Sequence, residues 1–219
     1  MAQCKDGLKT YLNYECYNLL KTKFSISTMG MSGTQNYNNA KEKINRIDKK
    51  DRNLEEYDIF FRDITKYLNS GHVIYQAGLN IACNYINYLL NENVSKRNMN
   101  LSNPVYEILQ DFVREYILSD SGVKEEADLC SSKINPLVYN VYQKMRLLYD
   151  LYDEYNTLVE PNKPGNYDPC IILGKIIYDY NESIKLYQTT DTELINNLID
   201  LKLLISEKVL PKNTNCLKI

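Results

Sequence analysis

Residues 72–90 read HVIYQAGLNIACNYINYLL, a stretch whose apolar side chains cover most of the circumference of a helix. A helix without a broad polar face is stable only where other elements surround it. The stretch therefore predicts the central helix of a helical bundle, with Cys83 inside it. Residues 69–71, Asn-Ser-Gly, precede it and predict the end of another helix.

Amphipathic runs on both sides of this centre predict further helices. A first helix is predicted from apolar residues at three- and four-residue steps, namely Leu8, Leu12, Cys16, Leu19, Leu20 and Phe24. A second run covers residues 54–68. A later one follows the apolar seam Val138, Val141, Met145, Leu148, Tyr152 and Tyr155.

Three more helices are predicted to start at one local signal, a side-chain acceptor followed by proline. The signal occurs at Asn103-Pro104, Asn135-Pro136 and Asp168-Pro169. The acceptor caps free backbone N–H groups, and proline suits the first helical position because it has no N–H of its own. The capping box of residues 190–193, Thr-Asp-Thr-Glu, predicts a last helix that carries Leu194, Leu198, Leu201 and Ile205.

The fold class follows from these patterns. Alternating valine-rich runs bounded by hairpin turns are absent from the sequence, so strands have little support. We predict an all-α fold, an irregular bundle of about seven helices stapled by disulfides. We predict a single domain, residues 1–219, with a variable loop at about 25–40 and another loop at about 158–167.

Six cysteines are spread over the whole chain: Cys4, Cys16, Cys83, Cys130, Cys170 and Cys216. None forms the Cys-x-x-Cys pair that zinc knuckles and dithiol redox enzymes use. An even number at wide spacing is typical of structural disulfides, which persist outside the reducing cytosol. The pairing stays open, and buried free thiols in a cytosolic protein are the alternative.

Composition and charge restrict the partners. Hydrophobic residues make up 44% and charged residues 25% of the chain, which is typical of a globular protein. A net charge of −2 provides no basic field for a phosphate backbone, so we expect no nucleic acid partner. The polar N-terminus lacks the apolar core of a secretory signal. No stretch of about 18 apolar residues is present, so we expect membrane contact only through a segment absent from this chain, after Cys216.

The residues that carry catalysis or bind metals are scarce. His72 is the single histidine, which excludes HExxH and two-histidine zinc sites, and no nucleophile-elbow pattern accompanies it. We expect His72 to be a surface or capping residue. Asp150, Asp153 and Glu154 share one helical side, as a cation site or an acid/base pair would require, but a solvated acidic face is the favoured interpretation.

Two further patterns fail as sites. Asp51, Asn53 and Glu55 resemble the start of a calcium loop that lacks its glycine and its final glutamate. The basic residues of 41–52 are interleaved with acidic ones and predict a solvated helix face rather than an anion site. We therefore expect no catalytic, cofactor-binding or metal-binding residues, and no cofactor.

Four stretches carry a resemblance when they are taken in order. They are residues 14–20 (YECYNLL), 82–90 (ACNYINYLL), 148–156 (LYDLYDEYN) and 178–181 (YDYN). Together with the cysteine placement, they resemble the PIR (Plasmodium interspersed repeat) variant antigens of malaria parasites, most closely the Vir-like group. Family members commonly carry tryptophan where this chain has Leu89, and many end in a transmembrane span that this chain lacks.

The resemblance implies an antigenically variable protein, exported without a classical signal peptide and displayed at or near the surface of the infected red cell. It implies immune evasion and adhesion to a host cell-surface receptor or recognition by antibody. It supplies no catalytic motif. We expect contacts through the loops at 25–39 and 160–167, because loops tolerate change without disturbing packing.

Two other functions stay open. One is an exported helical scaffold inside the infected cell, in membrane remodelling or trafficking. The other is an enzyme, which would need a convergent polar pocket that one histidine and scattered carboxylates do not indicate.

Overall fold

The fold is all-helical, as predicted, in a computed structural model that describes residues 4, 10–26, 34–47, 54–69, 71–97, 103–160, 168–213 and 215–216. No strand occurs in these ranges. They contain ten α-helices rather than about seven: α1 (Tyr14–Ile26), α2 (Thr34–Ile47), α3 (Asp58–Leu68), α4 (Gly71–Ala77), α5 (Leu79–Lys96), α6 (Asn103–Asp120), α7 (Lys124–Ser131), α8 (Tyr139–Val159), α9 (Pro169–Tyr187) and α10 (Thr192–Lys208). One-turn 3₁₀ helices cover Leu54–Tyr57 and Leu210–Lys212.

The helices that the structure describes group into two compact units. The first unit contains Asn18–Val138, and the second contains Lys9–Tyr17 together with Tyr139–Ile219. No helix in the described ranges is long and apolar enough to cross a membrane.

Helix α6 lies at the centre of the first unit, where it packs against α2, α3 and α7. Its apolar face is fully buried, and the ring of Phe112 stacks on Phe61 of α3 with 4.2 Å between centroids. Helix α5 is buried around most of its circumference, as predicted, and its Cys83 is 0% exposed. Burial of each large apolar side chain contributes about 1.5–3 kcal/mol, so these two helices supply most of the first unit's core.

Helices α8, α9 and α10 form the second unit with the N-terminal residues that precede and open α1. The predicted stripe of α10, Leu194, Leu198, Leu201 and Ile205, is buried throughout. The ring of Tyr17 stacks on Tyr149 at 4.7 Å, and Tyr14 packs edge-on against Tyr155 at 4.9 Å. Tyrosines therefore supply much of the core of a unit that contains no tryptophan.

The apolar spacing predicts that the first helix begins near Leu8, but α1 begins at Tyr14. The backbone of Leu12 is held outside a helix, because its N–H donates to the Tyr149 hydroxyl at 3.1 Å and its carbonyl accepts from the Tyr152 hydroxyl at 3.2 Å. Asn13 then caps α1 by accepting from the N–H of Cys16. Leu12 keeps its buried position without being helical.

The stretch 72–90 is two helices, since α4 ends and α5 begins at Gly78. Gly78 has φ +86°, a left-handed conformation that glycine adopts without the steric penalty of a side chain. Its N–H donates to Ile74 and closes α4, whereas its carbonyl accepts from Ala82 and opens α5. An isolated glycine inside an apolar pattern thus marks a break that the periodicity conceals.

The predicted variable loop at about 25–40 is helical where the structure describes it. Residues 25–26 end α1 and residues 34–40 belong to α2, while 27–33 lie outside the described residues. Among the described side chains of α2, Ala40 and Ile44 are buried. Two buried apolar residues are too few to produce a helical periodicity in the sequence. Of the second predicted loop, residues 158–159 end α8 and 161–167 lie outside the described residues.

The three acceptor-proline signals differ in outcome. Helix α6 starts at Asn103, and α9 starts after Asp168, whose carboxylate accepts from the N–H of Cys170 at 2.8 Å. The prediction at Asn135-Pro136 is wrong, because the backbone is not helical until Tyr139.

The reason is a pair of buried asparagines on α5. Asn87 Oδ1 accepts from the N–H of Asn135, and Asn91 Nδ2 donates to the Asn135 carbonyl. Asn91 Oδ1 also accepts from the N–H of Leu137. The Asn135 carbonyl, which would accept the first hydrogen bond of a helix capped at Asn135, is engaged by Asn91 instead. The N–H groups of Asn135 and Leu137 are satisfied without a helix, so tertiary contact overrides the local signal.

Candidate functional site

The six cysteines are all disulfide-bonded, which confirms the structural prediction made from their number and spacing. Cys83 on α5 bonds to Cys130 on α7, and both side chains are fully buried. Cys170, in the first turn of α9, bonds to the half-buried Cys216. Cys4 and Cys16 are the other disulfide-bonded cysteines. The Cys83–Cys130 bond lies within the first unit and the Cys170–Cys216 bond within the second, and each ties elements that are 46 or 47 residues apart.

The acidic side of α8 is only partly solvated. Asp150 is exposed and pairs with Arg146 at 3.7 Å, as expected of a solvated face. Asp153 accepts from the Tyr17 hydroxyl at 2.9 Å. Glu154 is 18% exposed and pairs with Lys175 of α9, so the prediction of a solvated residue is wrong for Glu154. Burial raises the pKa of Glu154, and Lys175 acts against that rise.

The other predicted patterns do not converge on a site within the described residues. His72 belongs to α4, but its side chain lies outside what the structure describes. In the basic segment, Lys41 pairs with Asp58 at 2.6 Å and Lys43 pairs with Glu115 at 3.0 Å. Lys49, Lys50 and Arg52 lie outside the described residues, as do the first two residues of the calcium-like pattern. The described part of the chain contains no group of three or more His, Cys, Asp or Glu residues placed to hold a metal ion.

A buried charge cluster lies in the second unit, and its residues are too far apart in the sequence to form a local pattern. Lys144 of α8 donates to Asp191 at 2.8 Å, and the two side chains are only 10% and 13% exposed. Asp191 also accepts from the Tyr11 hydroxyl at 2.7 Å and caps α10 by accepting from the N–H of Leu194. Burial alone would raise the pKa of Asp191, but these donors together lower it. Lys144, Tyr11 and a backbone N–H all engage this carboxylate, so the cluster ties α8 and the segment before α1 to the start of α10.

The first unit contains a cavity of about 160 Å³ at the two glycine turns. Its floor, which we call the apolar floor, consists of Leu68, Ile74, Leu79 and Ile117. The exposed Asp120, Ser121 and Glu126 form its rim, and the buried Tyr116 also lines it. Ile74 and Leu79 stand on either side of Gly78, and Ser121 adjoins Gly122, which has φ +70°. These are the positive-φ glycines of the described chain, so the cavity lies where α4 turns into α5 and α6 into α7.

The rim of this cavity is acidic. Asp120 accepts from the Asn36 side chain at 2.8 Å, and Glu126 accepts from the Ser121 hydroxyl at 3.2 Å. Burial and the nearby Asp120 raise the pKa of Tyr116 to about 12, while its hydrogen bond to Asn69 acts in the opposite direction. Tyr116 is therefore a neutral hydroxyl at physiological pH. The cavity presents two carboxylates beside an apolar floor, with no basic residue among the described residues that line it.

Sequence patterns did not indicate this cavity. Its carboxylates are six residues apart on different helices, and its apolar residues come from α3, α4, α5 and α6. Gly78 is the available indication, because a glycine inside an apolar pattern marks a turn between two helices.

Comparison of the chain with protein-family models, with curated proteins and with solved structures finds no match.

Proposed function

We propose that this protein is a disulfide-stabilised helical binding protein that acts outside the reducing cytosol, as a variant surface antigen of infected red cells. Its task is to present variable segments for immune evasion and for binding to a host cell-surface receptor. The location outside the cytosol is supported by one observation: all six cysteines are disulfide-bonded. Such bonds form and persist in oxidising compartments and are rare in the cytosol.

The burial pattern supports a scaffold that tolerates surface change. Within the resembling stretches, Cys16, Tyr17, Cys83, Tyr149 and Tyr152 are buried. Their side chains belong to the two cores, so they are constrained by packing rather than by a ligand. Substitutions elsewhere on the surface change stability by no more than about 0.5 kcal/mol in most cases. A core of this kind allows many surface sequences on one fold, as a family of variant antigens requires.

The assignment to the PIR family rests on the four resembling stretches and the cysteine order. The proposed contact segments, 25–39 and 160–167, lie largely outside the described residues. In the first segment, residues 34–39 open α2, where the side chains of Gln35 and Asn38 are exposed and that of Asn36 is half-buried. We include this helical end in the proposed contact surface.

A second candidate is an exported scaffold inside the infected cell, in membrane remodelling or trafficking. The observation that favours it is the exposed apolar face of α9, where Ile171, Tyr178 and Leu186 recur at seven- and eight-residue spacing. Their side chains are 72%, 66% and 65% exposed. Apolar residues aligned on one face are typical of contact with another molecule.

Two measurements on infected red cells test the proposal. Alkylation before lysis, followed by non-reducing mass spectrometry, is expected to yield the linked peptides of Cys83–Cys130 and Cys170–Cys216. Free thiols at most cysteines would contradict an oxidising location. Protease treatment of intact cells is expected to remove the protein, and a permeabilised sample provides the control for cleavability. Protection in intact cells combined with digestion after permeabilisation would exclude display and favour the scaffold.

A further inference from the structure

We propose that the cavity of the first unit binds one arginine side chain of a partner protein. The aliphatic stem lies on the apolar floor, and the guanidinium reaches the rim carboxylates Asp120 and Glu126. The proposal deepens the binding function given above and rests on it for the existence of a partner. The chemistry of the cavity can be tested without that partner.

The size of the cavity selects the kind of occupant. A volume of about 160 Å³ is well below the roughly 300–1,000 Å³ that drug-sized ligands occupy. It is close to the roughly 150 Å³ of an engineered cavity that holds a benzene-sized group. One side chain of a protein therefore fits, whereas a cofactor or a nucleotide does not.

The lining selects the chemistry of that side chain. Four aliphatic residues form the floor, and they favour methylene groups over polar atoms. Asp120 and Glu126 stand at the rim, and neither has a Lys or Arg partner within the ranges that the structure describes. An ionised carboxylate accepts about four hydrogen bonds, so one bond each to Asn36 and Ser121 leaves most of this capacity unused. The complementary group is a cation on an aliphatic stem.

Arginine matches this arrangement better than lysine does. Its planar guanidinium offers five N–H donors in a fixed fork, which can reach two carboxylates that come from different helices. It is also less strongly hydrated than an ammonium group, so it enters a partly apolar site more easily. Arginine is among the residues enriched where protein interfaces concentrate their binding energy.

The test uses the oxidised 219-residue chain with labelled Ile and Leu methyl groups, observed by NMR. The probe is N-acetyl-arginine methylamide, and N-acetyl-citrulline methylamide is its uncharged isostere. The arginine probe is expected to saturate with a dissociation constant of about 1–10 mM, because a single side chain must offset the loss of free motion. Shifts should be confined to the methyl groups of the apolar floor. Citrulline should bind at least about fivefold more weakly, and the lysine analogue should fall between them.

A matched pair of variants isolates the carboxylate. Glu125 and Glu126 both lie in the exposed first turn of α7, but only Glu126 lines the cavity. Glu126→Gln is expected to weaken the arginine probe about threefold, the effect of one partly exposed charge pair. Glu125→Gln makes the same change in net charge and should leave the affinity unchanged. Unchanged methyl shifts outside the cavity will show that both variants are folded.

Three results would overturn the proposal: no saturable shift at the apolar floor, equal affinity for arginine and citrulline, or equal effects of the two glutamate variants. The last result would reduce the interaction to the general charge of the surface. None of them bears on display, which the thiol and protease measurements decide separately.

Discussion

The disulfides Cys83–Cys130 and Cys170–Cys216 allow a controlled comparison of the two units. The first bond lies in the first unit and the second bond in the second, and they close loops of nearly equal length, with separations of 47 and 46 residues. Their surroundings differ, because Cys83 and Cys130 are fully buried whereas Cys170 and Cys216 are half-buried. The cross-link restricts the unfolded chain equally in the two cases. Any difference in their contributions to stability therefore reports on packing.

The two disulfides therefore have unequal structural roles. In the first unit the disulfide lies within the core and joins α5 to α7, a helix with only two buried residues, Ala127 and Cys130. In the second unit it holds Cys216 against the start of α9, while the core is built from side chains of α8, α9 and α10 and from tyrosines. The first bond is part of a core, and the second fastens a peripheral segment to its unit.

Removing each disulfide is the largest test of this comparison. The double variant Cys83→Ala/Cys130→Ala is expected to lose more than about 4 kcal/mol, the loop-entropy value for about 48 residues plus the loss of buried sulfur contacts. Cys170→Ala/Cys216→Ala should lose about 4 kcal/mol or less, since its sulfurs are less buried. Hydrogen exchange measured by mass spectrometry on α5 and α9 will report the loss for each unit separately.

Partial reduction of the native protein provides the control. Mild reductant is expected to open Cys170–Cys216 before Cys83–Cys130, because attack by a thiolate requires access to the sulfur. Equal losses from the two double variants, together with simultaneous reduction, would show that burial makes no difference.

The buried charge cluster of the second unit provides the next largest effect. Asp191→Ala is expected to lower the free energy of unfolding by about 3–5 kcal/mol, because it leaves Lys144 buried without its partner and removes the cap of α10. Asp191→Asn should lose less, since the amide oxygen can still cap the helix. Urea denaturation measures both values.

The matched control is Asp150→Ala on α8. Both side chains of its ion pair with Arg146 are exposed, so the free energy of unfolding is expected to change by no more than about 0.5 kcal/mol. A similar loss from Asp150→Ala and Asp191→Ala would mean that burial of the pair contributes nothing.

The buried asparagine pair gives the corresponding test in the first unit. Asn91→Ala is expected to lose about 2–3 kcal/mol, since it removes the buried oxygen that accepts from the Tyr106 hydroxyl and from the N–H of Leu137. The exposed Asn45→Ala on α2 should change stability by less than about 0.5 kcal/mol. Faster hydrogen exchange confined to residues 134–138 would be the local signature. Unchanged exchange in that segment would contradict the role assigned to Asn91.

These residues also show which features of the fold can be predicted from local sequence. The cap at Asp168 and the stripe from Leu194 to Ile205 were predictable, because both depend on neighbours in the chain. The wrong helix start at Asn135 could not be recognised from the local sequence, because the side chains that bind its backbone are 44 and 48 residues away. The same holds for the Lys144–Asp191 pair and for the cavity, whose residues converge only through tertiary packing. Composition and spacing predicted helices and disulfides, but not which polar groups the fold buries.

Acid titration compares the two units through one carboxylate in each, and it has the smallest expected effect. Burial alone would raise the pKa of Asp58, but hydrogen bonds from Lys41, Tyr37 and Arg62 lower it to about 2. A carboxylate whose pKa is lower in the folded state than in the unfolded state stabilises the protein at pH values above its unfolded pKa of about 4. That contribution is lost as the pH falls toward about 2. Asp58→Asn should therefore be about 1–2 kcal/mol less stable than the parent at pH 7 and nearly equal to it at pH 2.

The same titration on Asp191→Asn extends the comparison to the second unit, because the pKa of Asp191 is also lowered by its donors. Its deficit should likewise shrink as the pH falls below about 4. Part of the Asp191→Asn deficit should persist in acid, because Lys144 is buried beside this side chain. Lys41, the partner of Asp58, is 30% exposed and can turn to water instead. A deficit independent of pH in either variant would mean that packing, and not charge, sets the contribution of that carboxylate.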